Sequence, residues 1–485
     1  MKPFVASVFA CSIIASSSAS TLASGLSDDI RSQLDGYIAS YEPRMREVAH
    51  QIWSRPELGY QEVNTANLLI SELEKYGFQV EEGVAGIPTA FVAKAGSDHG
   101  PVIAILAEMD ALPGFSQDAV PFQQPVDGIT SGHACGHHLF GTGSVAAAIA
   151  VALWMKDNNV EGQIRLYGTP AEEGGSGKVY MVRAGLFDDV DVVLHWHPGD
   201  RNTASQGWSL ANVAVKVRFR GVSAHAALSP ERGRSALQAV EAFHHMINMM
   251  REHVPQETRI HYIVSNGGAA PNVVPAFAES YLYVRNPDPA VVRDIVARIE
   301  KAAQGAALGT ETEYSMERIS GVYSVLPNDT LGHVMDGNLR AAAPIKWDDD
   351  EVAFATKMQK TLQATPPLSS VGEVEKYTFG EQGYYSTDVG DVSWVAPTVG
   401  LNTATWVPGT PAHSWQAVAA GGIGIGYKGM RLAAETLAFT AAELLQSPEL
   451  IDQAKAEFEQ ERGPDFTYSS LIGDRKPALD YRLKN

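Results

Sequence analysis

From Asp28 to about Ala211 the chain alternates helical and strand-like stretches, and this alternation limits the available folds more than any other feature of the sequence. "NTANLLISELEKYGF" has helical periodicity with Asn64 placed to cap it, and "GSVAAAIAVALWMKD" reads as an apolar helix. "PTAFVAKAG", "PVIAILAEMD", "GQIRLYGTP" and "VDVVLHWH" read as strands. Apolar strands separated by helices predict an α/β layered domain with a substantially parallel sheet. Ligands of such sheets sit beyond the C-terminal ends of the strands. Asp110 ends one strand, Glu172 and Glu173 follow another, and His195 and His197 end a third.

The texture then changes. "NVAVKVRFRG" alternates like a half-exposed strand, a helix follows over about 235–253, and "RIHYIVSNGG" and "AFAESYLYVRN" resemble a strand pair. A second helix, "PAVVRDIVARIEKAAQ", and the strand "TETEYSMERIS" complete a β-α-β-β-α-β order, the ferredoxin-like split βαβ sandwich. This smaller domain, over about 212–325, reads as an insertion, because alternating segments resume over 326–462. The sequence therefore predicts a catalytic domain in two parts, 28–211 and 326–462, around the insert. The closing stretch 463–485 is polar and proline-containing, which predicts a tail on the surface.

A chain of 485 residues, 45% hydrophobic and 19% charged, can bury a large core over more than one domain. With 37 Lys and Arg against 56 Asp and Glu, its formal charge of -19 argues against nucleic acid or an anionic membrane as partner and favours a small molecule. It contains no apolar stretch of the roughly 20 residues a membrane span needs. Lys2 followed by "FVASVFACSIIASSSA" predicts a signal peptide over 1–23, cleaved after Ala19 or Ala23, and hence an exported periplasmic or secreted protein. The competing reading is a frayed apolar N-terminus. Loss of Cys11 leaves Cys135 as the one thiol, unable to form an intramolecular disulfide.

That thiol lies in "SGHACGHHLFGTGS" with three histidines. Thiolate, imidazole and carboxylate are what zinc and similar ions bind. If the backbone is extended there, Cys135 and His137 point to the same side. In "TPAEEGGSGK", Glu172 and Glu173 are either a solvated turn or a pair that divides labour, one binding a cation and the other taking a proton from the cation's water. A phosphate loop is excluded, since Glu172 occupies the place of its first glycine and Val179 that of its Ser or Thr. His195 and His197, two apart on a strand, face one side, and spacing does not choose between them. Asp110 is either a turn cap or the carboxylate that orients a ligand histidine.

Taken in order, "RPELGYQE", "AEMDALPG", "GHACGHHLFGTGS", "PAEEGGSGKVYMVRAG", "HWHPGD", "GVSAHAA", "NGGAAPNVVP" and "PGTPAHSW" resemble the two-metal amidohydrolases related to aminoacylases and glutamate carboxypeptidases. The resemblance is strongest to the branch holding plant auxin-conjugate hydrolases and bacterial aminobenzoyl-glutamate hydrolases. It implies a metallopeptidase-like catalytic domain with a central mixed sheet and an inserted dimerisation domain. It also implies two divalent ions, zinc or manganese, on Cys135, His137, Glu173, His197 and His413, with Cys135 bridging. Glu172 matches the catalytic base, His225 a histidine that reaches the active site of a partner subunit, and Asn272 a substrate-contacting position. Arg285 stands where it could grip a substrate carboxylate. The implied activity is hydrolysis of an N-acyl amino acid such as aminobenzoyl-glutamate, by a homodimer or with a second subunit type. Dipeptidase or carboxypeptidase activity, and noncatalytic metal or ligand binding, are the alternatives. Two positions depart from the family pattern: Glu108 stands where peptidase branches carry a metal-binding histidine, and His138 where relatives have Asp or Asn. His138 is assigned a supporting or packing role and His133 a structural one.

Overall fold

The computed structural model describes residues 25–483, so the expected signal peptide falls outside the described residues. Six strands form the main sheet in the spatial order 79–82, 91–96, 163–169, 102–108, 192–199 and 398–404. The last four run parallel, and the two at the other edge are antiparallel. The parallel strands are buried along nearly their whole length, as strands covered on both faces must be. Helices 28–54, 137–158 and 424–446 pack against one another, and the latter two also lie on the sheet. Trp154 and Trp196 are fully buried in that core, each worth on the order of 1.5–3 kcal/mol of apolar burial.

The inserted unit is a four-stranded antiparallel sheet in the order 259–266, 277–286, 211–220, 313–322. Helices 236–250 and 289–310 close a separate core on it, through Val215, Val217, Phe219, Phe243, Ile295 and Ile299 among others. Ser235 and Asp288 cap the two helices by accepting from the backbone N–H of Gln238 and Ala290.

Four local expectations are corrected. Helix His137–Asn158 begins six residues before "GSVAAAIAVALWMKD", because Gly136 takes φ 81 and turns the chain directly into it. Cys135 and His137 are thus joined by a left-handed turn at a helix N-terminus, and the local backbone is not extended. A Cβ on Gly136 would stand 2.6 Å from Pro198, so glycine meets both the torsion and the packing. That same helix is long and apolar enough to cross a membrane, yet 89% of its apolar window is buried inside the protein. Asn64 does not cap helix Val63–Lys75; the carboxylate of Glu57 accepts from the N–H groups of Asn64 and Thr65 instead. The C-terminal segment after Arg462 does not simply lie on the surface, since Leu471 and Ile472 are each 2% exposed.

Candidate metal centre and active site

The C-terminal ends of the parallel strands converge on one cavity of about 550 Å³, lined by Glu108, Cys135, Glu172, Glu173, His197 and His413 among others. They arrive on separate elements except for one adjacent pair: Glu108 ends a strand, Cys135 precedes the central helix, Glu172 and Glu173 share the turn after Thr169, and His197 lies near the end of strand 192–199. His413 sits in a loop at φ 56, with its N–H bonded to the carbonyl of Ala134. A non-glycine residue held in the left-handed region is strained by about 1–3 kcal/mol, which the surrounding contacts must offset.

Candidate ligand atoms fall into overlapping groups. Those of Cys135, His137 and His197 lie within 4.8 Å of one another, as do those of Cys135, Glu173 and His413. Cys135 belongs to both. Glu108, His137 and Glu172 form a third such group. The tautomers suit a cation. His137 Nδ1 lies 3.0 Å from both the carbonyl and the Oδ1 of Asp110, two acceptors, so it carries the proton and leaves Nε2 as the ligating atom. His197 Nδ1 likewise donates to the carbonyl of Pro198 at 2.7 Å, turning Nε2 toward Cys135 Sγ at 3.4 Å. Asp110 serves both groups, because its other oxygen accepts the N–H of Glu173 at 2.9 Å.

Electrostatics make the same point. Burial pushes the Cys135 thiol up, so a thiolate needs a cation beside it. Burial, with Glu108 and Glu173 adding repulsion, raises the Glu172 carboxyl well above the ordinary range. Burial would also raise Glu173, but the hydrogen bond from His413 and the charge of His137 bring it down to about 2. His413 Nε2 stands 3.0 Å from Glu173 Oε1 and is raised by that contact. His137 Nε2 and Glu108 Oε2, 3.1 Å apart, are buried without a well-aligned hydrogen bond. Orphaned donor atoms, a buried thiol and fixed tautomers fit a pair of divalent ions.

The choice that spacing left open resolves geometrically. His195, depressed to about 4 by burial, joins none of these groups and faces the space over Gly400. His138 is held near 3 by burial, bonds the carbonyl of Gly421 through Nε2 at 3.0 Å, and packs against His133, ring centroids 4.9 Å apart. His225, Asn272 and Arg285 do not line the cavity of their own chain. His225 and Asn272 are exposed neighbours in the insert, linked by the bond from Ala226 N–H to the carbonyl of Asn272. Arg285 lies in strand 277–286 with its guanidinium 5.6 Å from the Tyr283 ring.

Sequence reasoning missed Lys178 and Asp388. Lys178 is fully buried, its Nζ 2.7 Å from Glu108 Oε1 and 2.6 Å from Asp388 Oδ1. Burial disfavours its charge, but Asp388, Glu108 and Glu172 overcome that and raise it. A lysine inside the apolar run "KVYMV" was the available signal.

The model for peptidase family M20/M25/M40 matches residues 104–387. The chain is 40% identical over 455 residues to one of the p-aminobenzoyl-glutamate hydrolase subunits of Escherichia coli, covering 88% of this chain and 94% of that protein. It is 29% identical over 434 residues to Xaa-Arg dipeptidase of Mus musculus, covering 86% and 89%. The crystal structure of a dinuclear metal binding peptidase of the M20 family from Bacillus subtilis superposes with a TM-score of 0.57 at 20% identity, covering 84% of this chain and 98% of that one.

Proposed function

This chain belongs to peptidase family M20/M25/M40 and is a metal-dependent amidohydrolase; on that premise we propose that it cleaves the amide of an N-acyl amino acid, with aminobenzoyl-glutamate the first substrate to test. The relative at 40% identity is named for that substrate. One ion would be held by Cys135, His137 and His197, the other by Cys135, Glu173 and His413, and zinc and manganese both suit this donor set. Bound ions of this kind lower the pKa of water and polarise a carbonyl. Glu172 takes the water's proton on its carboxylate and later delivers it to the leaving amine. The observation that carries this reading is Glu172 itself, beside the ligand groups with its proton affinity raised by burial and by two neighbouring carboxylates. A protein that only bound metal would have no use for that group.

Glu172→Gln tests it: metal content should match the parent while turnover falls by about 10²–10⁴-fold, and unaltered turnover refutes the assignment. Offering Xaa-Arg dipeptides beside N-acyl amino acids separates the dipeptidase reading.

His225 and Asn272 support a homodimer, since they would act on a neighbouring subunit's cavity. The edge strand 259–266 of the insert leaves Ile263 60% and Val264 47% exposed, a row suited to pairing with a second copy. Mixing inactive Glu172→Gln and His225→Ala chains should restore part of the activity through mixed dimers. Activity of the purified chain alone also decides whether a second subunit type is required. Export is read from residues 1–23, and N-terminal sequencing of the periplasmic protein should find Ser20 or Ser24 first.

A further inference from the structure

After helix Pro448–Arg462 the chain threads past both domains, and Tyr481 and Arg482 reach the metal-centre loop. Arg293 of the insert donates to the carbonyl of Ser469 at 2.8 Å, Leu471 is buried in the core of the insert, and Arg475 donates to the carbonyls of Arg318 and Ile319. From there the catalytic domain takes over. Arg183 donates to the carbonyl of Gly473 at 2.7 Å, Tyr180 to that of Lys476 at 3.3 Å, and Gln61 to that of Leu479 at 2.8 Å. The Tyr481 ring meets that of Tyr60 edge-on at 5.6 Å, and the Arg482 guanidinium lies 4.9 Å from the Tyr481 ring centre.

The side chains of Tyr481 and Arg482 serve one atom. Tyr481 donates its hydroxyl proton to the carbonyl of Glu173 at 3.2 Å, and the Arg482 guanidinium donates to the same oxygen. The peptide groups on either side of Glu173 are therefore held, the N–H by Asp110 and the C=O by the tail. The turn needs such anchors. Ala171 and Ser176 adopt φ 59 and 60, a conformation that costs about 1–2 kcal/mol for a residue with a Cβ. Backbone bonds from Gly174 to Glu172 and from Gly175 to Ala171 close the turn, and anchors from outside add to them: Glu62 accepts the N–H of Ala171 and Tyr60 donates to the carbonyl of Gly175. A Cβ on Gly59 would stand 2.3 Å from the Tyr481 hydroxyl, so that glycine makes room for the approach.

We propose that Gly473–Arg482 is a positioning strap: Tyr481 and Arg482, acting through the carbonyl of Glu173, set the affinity with which the Cys135–Glu173–His413 group holds its ion. This rests on the two-ion reading above. The test uses the full chain with Tyr481→Phe, Arg482→Ala, the double variant and Arg482→Lys. Zinc and manganese affinities are measured by competition with a chromophoric chelator, and the melting temperature is followed without metal. The double variant should bind one of its two ions about 10–100-fold more weakly, with the other ion and the metal-free melting temperature unmoved and Arg482→Lys recovering part of the loss. Tyr481→Phe, which removes one hydroxyl, should show a smaller loss in the same direction. Turnover should fall at limiting metal and return with excess metal at unchanged KM. Two ions bound with parental affinity by the double variant overturn the strap alone. A parent chain that binds fewer than two ions overturns the two-ion reading, and the strap with it.

Discussion

Asp110 is the most economical place to perturb the centre. It is 1% exposed, and its two oxygens hold one residue of each candidate ligand group: Oδ1 faces His137 Nδ1 at 3.0 Å, and Oδ2 accepts the N–H of Glu173 at 2.9 Å. Asp110→Asn keeps the shape but replaces one acceptor by an NH₂ group, which must face a donor on one side or the other. If the amide oxygen stays on Glu173, the NH₂ faces His137 and drives its proton to Nε2, the atom needed for ligation. If the oxygen turns to His137, the Glu173 N–H is left buried against a donor. Either way one hydrogen bond to a charged group is lost, worth about 1.5–3 kcal/mol, which converts to a 10- to 150-fold weaker ion at about 1.4 kcal/mol per decade. Chelator competition on the purified variant reads this directly. Both ions retained within threefold of the parent affinity would refute the double role of Asp110.

Lys178→Met leaves Glu108 and Asp388 as buried carboxylates with no ammonium between them, and should cost about 3–5 kcal/mol in denaturant unfolding at pH 8. The loss should shrink at pH 5, where the carboxyls can take protons, and parental stability at pH 8 would contradict the charge argument. Away from the centre, burial raises the Asp391 carboxyl to about 7, only partly offset by bonds from Tyr468 and from the N–H of Tyr323. A raised carboxyl favours its protonated form in the fold, so its cost is absent below the ordinary value near 3.9, grows with pH and is complete above about 7. The melting temperature of Asp391→Asn relative to the parent should therefore climb from pH 5 to pH 8, by the equivalent of at most about 3 kcal/mol; a flat or falling difference would sink that reading.

What the sequence made legible followed periodicity and residue chemistry. The strand read from the alternation of "NVAVKVRFRG" forms at 211–220, and the strand pair at 259–266 and 277–286, each within a residue or two of the segments that suggested them. Cys135, His137, Glu172, Glu173, His197 and His413 announce themselves because cation-binding side chains at apolar strand ends have few other uses. The partners of these residues were less legible. Cys135 and His137 meet through a left-handed turn at Gly136, which their two-residue spacing does not reveal. Asp388 reaches Lys178 across 210 residues, and Arg482 reaches Glu173 across 309, separations at which local patterning carries no signal. The carbonyl of Glu173 has no side-chain identity at all, so nothing in the sequence marks it as something to be held.

Charge ties these parts together. Glu108, Asp110, Glu172, Glu173 and Asp388 gather at the strand ends, with Lys178 the ammonium set among them. Lys178 neutralises at most one of the five, in a region where Glu108, Asp110 and Asp388 are each about 1% exposed. Uncompensated charge in such a place costs several kcal/mol per group, so the fold must either protonate these acids or neutralise them. Glu172 shows the first response, with its carboxyl driven well up. Divalent ions on the groups that share Cys135 would supply the second response. With ions held there, the Cys135 thiol could ionise and Glu172 could give up its proton and act as a base. The carboxylates that are costly to bury on their own are thus the ones a cation beside Cys135 would neutralise.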